Sequence, residues 1–146
     1  MTEHLKPSVT ADIIIPYRNI GNIVLIRRKH DPFMGQWALP GGFYETGQET
    51  TKQTAQREAN EETGAVLEEG MLKLLGVYDK PGRDPRGSVI SIAYYYVVPY
   101  EGLLKAADDA DLLRVFPLKN IPYPLAFDHD EIVRDYLEEL RKSETI

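Results

Sequence analysis

The sequence predicts an α/β domain of the α+β type, with a mixed β-sheet packed between helices. Three observations predict it. Segments rich in β-branched residues outnumber helical ones, and the two helical segments lie far apart in the chain. The 146 residues carry no internal repeat and no Gly/Ser-rich linker, so residues 1–146 read as one domain. A sheet with few, well-separated helices is most simply covered by them.

Each element has a local reason. Residues 11–17 (ADIIIPY) and 22–29 (NIVLIRRK) are β-rich and joined by the turn signal Asn19-Ile20-Gly21-Asn22, so they read as a hairpin. Residues 37–44 (WALPGGFY) form a short strand broken by Pro40-Gly41-Gly42. Residues 50–63 hold good helix formers without Gly or Pro, and Gly64 is placed to stop the helix. Residues 71–79 are strand-like, residues 80–87 (KPGRDPRG) a turn-rich polar loop, and residues 88–99 a long strand. Residues 113–118 make another short strand, followed by a rigid loop at 120–124 (NIPYP). Residues 127–141 close the chain as a helix, with Ile132, Val133, Tyr136, Leu137 and Leu140 at a helical period.

Composition narrows the function. The net charge is −6, which argues against nonspecific binding to nucleic acid or to an acidic membrane, because both need surplus cations. A small phosphorylated ligand needs only local positive charge or a metal. The chain has no cysteine, which excludes disulfide scaffolds, zinc-thiolate sites and cysteine catalysis. The first nine residues are polar, unlike a signal peptide, and the longest apolar-leaning run, residues 89–100, is too short to span a bilayer. These features point to a soluble, cytoplasmic protein.

The chemistry concentrates in residues 41–65. They hold five glutamates against Lys52 and Arg57, a surplus of three negative charges that is half of the chain's total. On a helix, Glu58, Glu61 and Glu62 stand at i, i+3 and i+4 and share one face. Like charges at that spacing destabilise an isolated helix by roughly 0.2–0.5 kcal/mol per pair. Such a cluster is most often a solvated face. At a concave site, however, it needs a cation, and hard cations such as Mg²⁺ take carboxylate oxygens together with substrate phosphates. Ala55 and Ala59 are small enough to let this helix lie close to a sheet, and Gly41-Gly42 allow backbone to approach a ligand closely.

The stretch resembles the Nudix box, the signature of Nudix hydrolases, G-x5-E-x7-R-E-U-x-E-E-x-G-U with U a bulky aliphatic residue. Glu49, seven residues, then Arg57-Glu58-Ala59-Asn60-Glu61-Glu62-Thr63-Gly64-Ala65 follow its second half. There are two departures. Six residues separate Gly42 from Glu49 rather than five, and both U positions are alanine. Either the loop carries an extra residue or Gln48 replaces the glutamate; the spacing to Arg57 favours Glu49. The approach Trp37-Ala38-Leu39-Pro40-Gly41-Gly42 and the preceding Arg27-Arg28 are also typical of that family. The resemblance implies a mixed sheet sandwiched between helices. It implies Mg²⁺ or Mn²⁺ held by Glu58, Glu61, Glu62 and the Gly41 carbonyl, with Glu49 paired to Arg57, and a nucleoside diphosphate linked to another group as substrate.

Outside the box, Pro81 stands sixteen residues beyond Ala65 and is followed by Arg83-Asp84-Pro85-Arg86-Gly87, which resembles the ADP-ribose pyrophosphatase branch. Residues 107–110 (ADDA) and 125–129 (LAFDH) are similar to segments common there. The branch implies hydrolysis of ADP-ribose to AMP and ribose 5-phosphate, with Arg27, Arg28, Tyr78, Arg83, Arg86 and Gly87 at the substrate. Arg83 and Arg86 can offer forked donors to phosphate, and Tyr78 can stack on a base or sugar. Alternatively, the loop is a surface turn shaped by Asp84 and Arg86. Ser88 stands where a histidine often follows the loop, and Leu112 where an acid often sits. The general base is therefore a box glutamate or one of Asp108, Asp109 and Asp111. His129 is open between a cap and a functional role. A nucleoside triphosphate pyrophosphohydrolase, a non-catalytic ligand sensor and a plain acidic interaction domain are the competing readings. The branch also suggests a homodimer, with the tyrosines of residues 94–96 as an aromatic surface.

Overall fold

A computed structural model of the chain describes residues 5–106 and 112–144. Strand β1 (Ser8–Ile14) is its spine, with its last five residues buried. A strand buried continuously along its length belongs in a sheet covered on both faces. β2 (Asn22–Arg27) and β3 (Trp37–Ala38) follow, then β4 (Gly41–Phe43), helix α1 (Thr51–Thr63), β5 (Leu72–Tyr78), β6 (Val89–Tyr96), β7 (Leu113–Pro117) and helix α2 (His129–Glu144). The main sheet is mixed, in the order β4-β1-β6-β5, with β1 parallel to β6 and the other pairs antiparallel. A second, antiparallel sheet has the order β3-β2-β7.

The first two strands do not form the expected hairpin. They meet only near the turn, where Pro16 bridges Ile23, and then separate into different sheets. Pro16 has no N–H to extend a ladder. Beyond it, β1 is flanked by β4 and β6, so β2 pairs with β3 and β7 instead. Residues 37–44 divide in the same way between β3 and β4.

The two helices cover opposite faces of the main sheet. Ala11, Ile13 and Ile15 pack toward α1 with Ala55, Ala59, Tyr94 and Tyr96. Ile14 and Ala93 pack toward α2 with Ile132, Val133 and Tyr136. Tyr95 is half-buried against Tyr136, with ring centroids 5.7 Å apart. The tyrosines expected to form an outward aromatic surface are therefore packed within the chain. Among the described residues, no helix is long and apolar enough to cross a membrane.

Candidate active site

Helix α1 is built by local signals. Thr50 caps it, accepting the Gln53 N–H while the Gln53 side chain accepts the Thr50 N–H, a reciprocal capping box. Gly64 ends it in the left-handed region at φ 77°. Its inner face consists of Thr54, Ala55, Ala59 and Thr63, so the helix lies close to the sheet. The approach is tight enough that a side chain on Gly42 would collide with the Glu58 carboxylate. This gives a physical reason for Gly42 and for the small Ala59 on the inner face of the helix.

Arg57 organises the carboxylates. Its Nε and Nη2 grip both oxygens of Glu49 at 3.1 and 2.9 Å. Nη2 also donates to the Phe43 carbonyl at 3.0 Å, and Nη1 donates to Glu58 at 2.8 Å. Nη1 lies farther from Glu61, at 3.3 Å. The Arg57 hydrogen bonds hold the Glu49 carboxyl down at about 2, against burial, with help from the Thr54 hydroxyl. Glu49, not Gln48, is thus the residue that pairs with Arg57; Gln48 is exposed and closes a turn by donating its N–H to the Glu45 carbonyl.

The other two box acids behave oppositely. Glu62 is half-buried, and its Oε1 accepts the Gly41 N–H at 2.8 Å. Burial, reinforced by Glu58 and Asp12, pushes its carboxyl up to about 8. Burial also raises Glu58, against the pull of Arg57. Among the described residues no three acidic or imidazole groups converge as a ready metal cage. Arg57 bridges Glu58 and Glu61, and Gly41 meets Glu62 through its N–H.

Opposite Glu62 stands a cationic wall. Arg28 and Arg86 place their guanidinium carbons 4.9 and 5.4 Å from the centroid of the Phe127 ring. Arg86 also lies 4.9 Å from that of Phe43. Such cation–π contacts contribute about 0.5–2 kcal/mol each and fix guanidinium orientation. Arg86 is held further by a bidentate pair with buried Asp84, and Arg28 by a 2.7 Å bond to the Pro32 carbonyl. Burial and then Arg86 lower the Arg28 pKa, but a guanidinium remains charged. Two cavities meet at Arg28 and Glu62. One, of about 200 Å³, is walled by Phe43, Phe127, Arg86 and Asp12. The other, of about 350 Å³, is lined by Arg27, His30, Glu61 and Leu112.

Other residues named from the sequence are engaged differently. Arg83 has a side chain only 4% exposed and turns its fork to Asp128, at 2.6 and 2.9 Å. It also lines the smaller cavity. Tyr78 donates to Asp135 at 2.6 Å and faces a separate cavity between β5 and α2. Gly87 lines a fourth hollow with Pro81 and Gly82. Asp108, Asp109 and Asp111 lie outside the described residues. From the sequence, Phe43, Phe127 and Asp12 receive no site role. Asp12 left a signal, a charge beside a run of isoleucines; Phe127 left only its place in residues 125–129, and its contacts depend on a left-handed φ of 54° and on partners from two distant segments.

The signature, the glycine pair and the sheet between two helices define a family. Residues 6–136 match the model of the NUDIX domain, and the chain belongs to the Nudix family. It is 49% identical over 134 residues to an ADP-ribose pyrophosphatase of Methanocaldococcus jannaschii, covering 92% of this chain and 75% of that protein. Its fold superimposes on a MutT/nudix family protein from Enterococcus faecalis with a TM-score of 0.83 at 31% identity, covering 97% of this chain and 65% of the other. It also superimposes on the NUDIX domain of Shewanella oneidensis NrtR complexed with ADP ribose, with a TM-score of 0.81 at 27% identity, covering 94% and 90%.

Proposed function

We propose that the chain hydrolyses the diphosphate of ADP-ribose to AMP and ribose 5-phosphate with the help of a divalent cation. The observation that carries this reading is the junction of the two cavities, where the acidic face of α1 confronts Arg28 and Arg86. A diphosphate spanning that junction would leave one nucleoside or sugar in each cavity. The choice of ADP-ribose is supported by the likeness to the M. jannaschii pyrophosphatase and to the NrtR domain complexed with ADP ribose.

The donor set fits a hard cation. Glu62 and Glu58 both carry carboxyls raised by burial, a cost that a dication removes. Glu58, Glu61, Glu62 and the Gly41 carbonyl would hold Mg²⁺ or Mn²⁺, which supplies charge neutralisation at the diphosphate and activation of water. Arg28 and Arg86 bind the phosphoryl oxygens, and Arg27 lies on the rim of the larger cavity. Arg57 and Glu49 keep the acidic face in register. A box glutamate, Glu58 or Glu61, takes the proton from the attacking water; Asp108, Asp109 and Asp111 are the competing bases.

The test is a substrate panel with product identification, run with Mg²⁺, with Mn²⁺ and with chelator. AMP and ribose 5-phosphate should appear in equal amounts from ADP-ribose, and only with metal. Faster cleavage of deoxynucleoside triphosphates would overturn the substrate assignment. A rise in Tm with ADP-ribose but no AMP release would assign the chain to ligand sensing.

A further inference from the structure

In the wall of the smaller cavity begins a buried polar chain that the reading above does not use. His129 opens α2 and is 3% exposed, Asp12 is 6% exposed and Ser91 is fully buried. The His129 Nδ1 accepts the Leu39 N–H at 3.0 Å, so that nitrogen carries no proton and the ring proton sits on Nε2. Nε2 faces the Asp12 Oδ2 at 3.5 Å, and the same oxygen accepts the Ser91 hydroxyl. The imidazole is therefore oriented at both ends.

This chain leads to the acidic face of α1. Asp12 and Gly41 are register partners across β1 and β4. The Asp12 Oδ1 occupies the place where a Gly41 side chain would begin. The segment from Leu39 to Gly41 is pinned at three successive residues. The Leu39 N–H goes to His129, the Pro40 carbonyl accepts the Ile13 N–H at 2.9 Å, and the Gly41 N–H goes to Glu62. Moving Asp12 moves the wall against which Gly41 rests, and with it the N–H that aims the Glu62 carboxylate.

We propose that His129, acting through Asp12, is a positioning residue that sets the Gly41 backbone and the Glu62 carboxylate for a divalent cation. The inference rests on reading Glu62 as a cation ligand. A packing histidine would need only its volume and the Leu39 bond. A positioning histidine needs the Nε2–H toward Asp12. Asparagine keeps an acceptor near the Nδ1 position and loses the donor; glutamine keeps a donor near Nε2 and loses the acceptor.

The experiment measures the Mn²⁺ dissociation constant from the free-ion resonance signal, without substrate, for wild type, His129→Asn, His129→Gln, Asp12→Asn and the double variant His129→Asn/Asp12→Asn. Loss of a partner that orients a metal ligand weakens affinity by about 10–100-fold. His129→Asn and Asp12→Asn should each weaken Mn²⁺ by at least about tenfold, and His129→Gln should restore most of the loss. The double variant should be no weaker than either single one, because both break one path. Wild-type affinity in His129→Asn and Asp12→Asn, better rescue by asparagine than by glutamine, or additive losses would each overturn the inference. Should His129→Asn fail to fold, the Asp12→Asn and His129→Gln measurements decide alone. Wild-type protein that binds no Mn²⁺ would instead overturn the cation reading of α1, and this inference with it.

Discussion

Both helices are rich in acid, yet they treat their carboxylates differently. α1 touches the sheet with Thr54, Ala55, Ala59 and Thr63, side chains so short that the helix settles against the strands. The acids flanking that stripe, Glu58 and Glu62, are carried in with it and lose water without a full set of partners. α2 touches the sheet with Ile132, Val133 and Tyr136, whose bulk fills the interface. Of its acids and that just before it, half-buried Asp128 takes Arg83 and exposed Asp135 takes the Tyr78 hydroxyl. Glu138 stays exposed and pairs with Arg141 at 3.3 Å. The comparison shows what separates a desolvated acidic cluster from a solvated one. α2 carries six acids to the three of α1, so the number of charges is not what matters; burial without compensation is the difference.

The sharpest way to break that comparison is to remove one carboxylate from each helix. Glu58→Gln and Glu62→Gln should each lower kcat for ADP-ribose hydrolysis by about 100-fold or more, the usual scale for a group that works on the proton or the charge of the reaction. Glu138→Gln should leave kcat and KM unchanged. Steady-state AMP release measures both. Full activity in Glu58→Gln would remove it from the site.

The two arginines of one loop give the next largest contrast. Arg83→Ala leaves Asp128 without its guanidinium in a nearly water-free place, and breaking such a pair costs about 3–5 kcal/mol. A urea melt should show that loss. Arg86 is 38% exposed and borders the cavity. Arg86→Ala should therefore raise KM for ADP-ribose about tenfold, near 1.4 kcal/mol of binding, with a smaller loss of stability. The reverse pattern would mean that the loop presents Arg83 to substrate.

A pH titration of stability separates the carboxylates of α1 from one another. The Glu62 carboxyl rises from an ordinary 4.5 to about 8, so between those values the folded chain holds a proton that the unfolded chain has lost. Metal-free stability should then fall as pH rises from 4.5 to 8. Mg²⁺ should remove that slope by binding the deprotonated form. Glu49 has the opposite sign: its stabilisation is complete above 4.5 and is lost as pH falls through about 2, with or without metal. Tm against pH, with and without Mg²⁺, tests both arms. A metal-insensitive slope above pH 4.5 would contradict the cation role of Glu62.

The legible parts of this molecule are those with local causes. The Thr50 cap, the Gly64 stop and the spacing of Glu58, Glu61 and Glu62 all lie within one stretch, so α1 and its acidic face follow from the sequence. The glycine pair before it was legible as a site of close approach. The pairing of β1 was not: its parallel neighbour β6 lies some eighty residues away, and the local pattern of residues 11–29 favours a hairpin that the sheet overrides. Arg83 and Arg86 look equivalent in the sequence. Only the return of α2 with Asp128 decides which one turns inward. The aromatic support of the cationic wall combines β4, the arginine loop and Phe127, and no single window contains it.

The smallest expected effect tests the quiet side of the sheet. The Tyr78 hydroxyl donates to Asp135 at 2.6 Å across the space between β5 and α2. Burial and Asp135 raise its pKa, so it stays a donor at neutral pH. Tyr78→Phe keeps the ring, which packs with Ile132 and Val133, and deletes one hydrogen bond. Asp135 is exposed and recovers water, so the loss should be about 0.5–1 kcal/mol rather than the cost of a stranded buried charge. Because Tyr78 faces a cavity other than the two that meet at Arg28 and Glu62, KM for ADP-ribose should not move. A several-fold rise in KM would restore Tyr78 to the substrate, as the sequence alone suggests. It would also mean that α2 shares the site, and that uncompensated burial is not what divides the two helices.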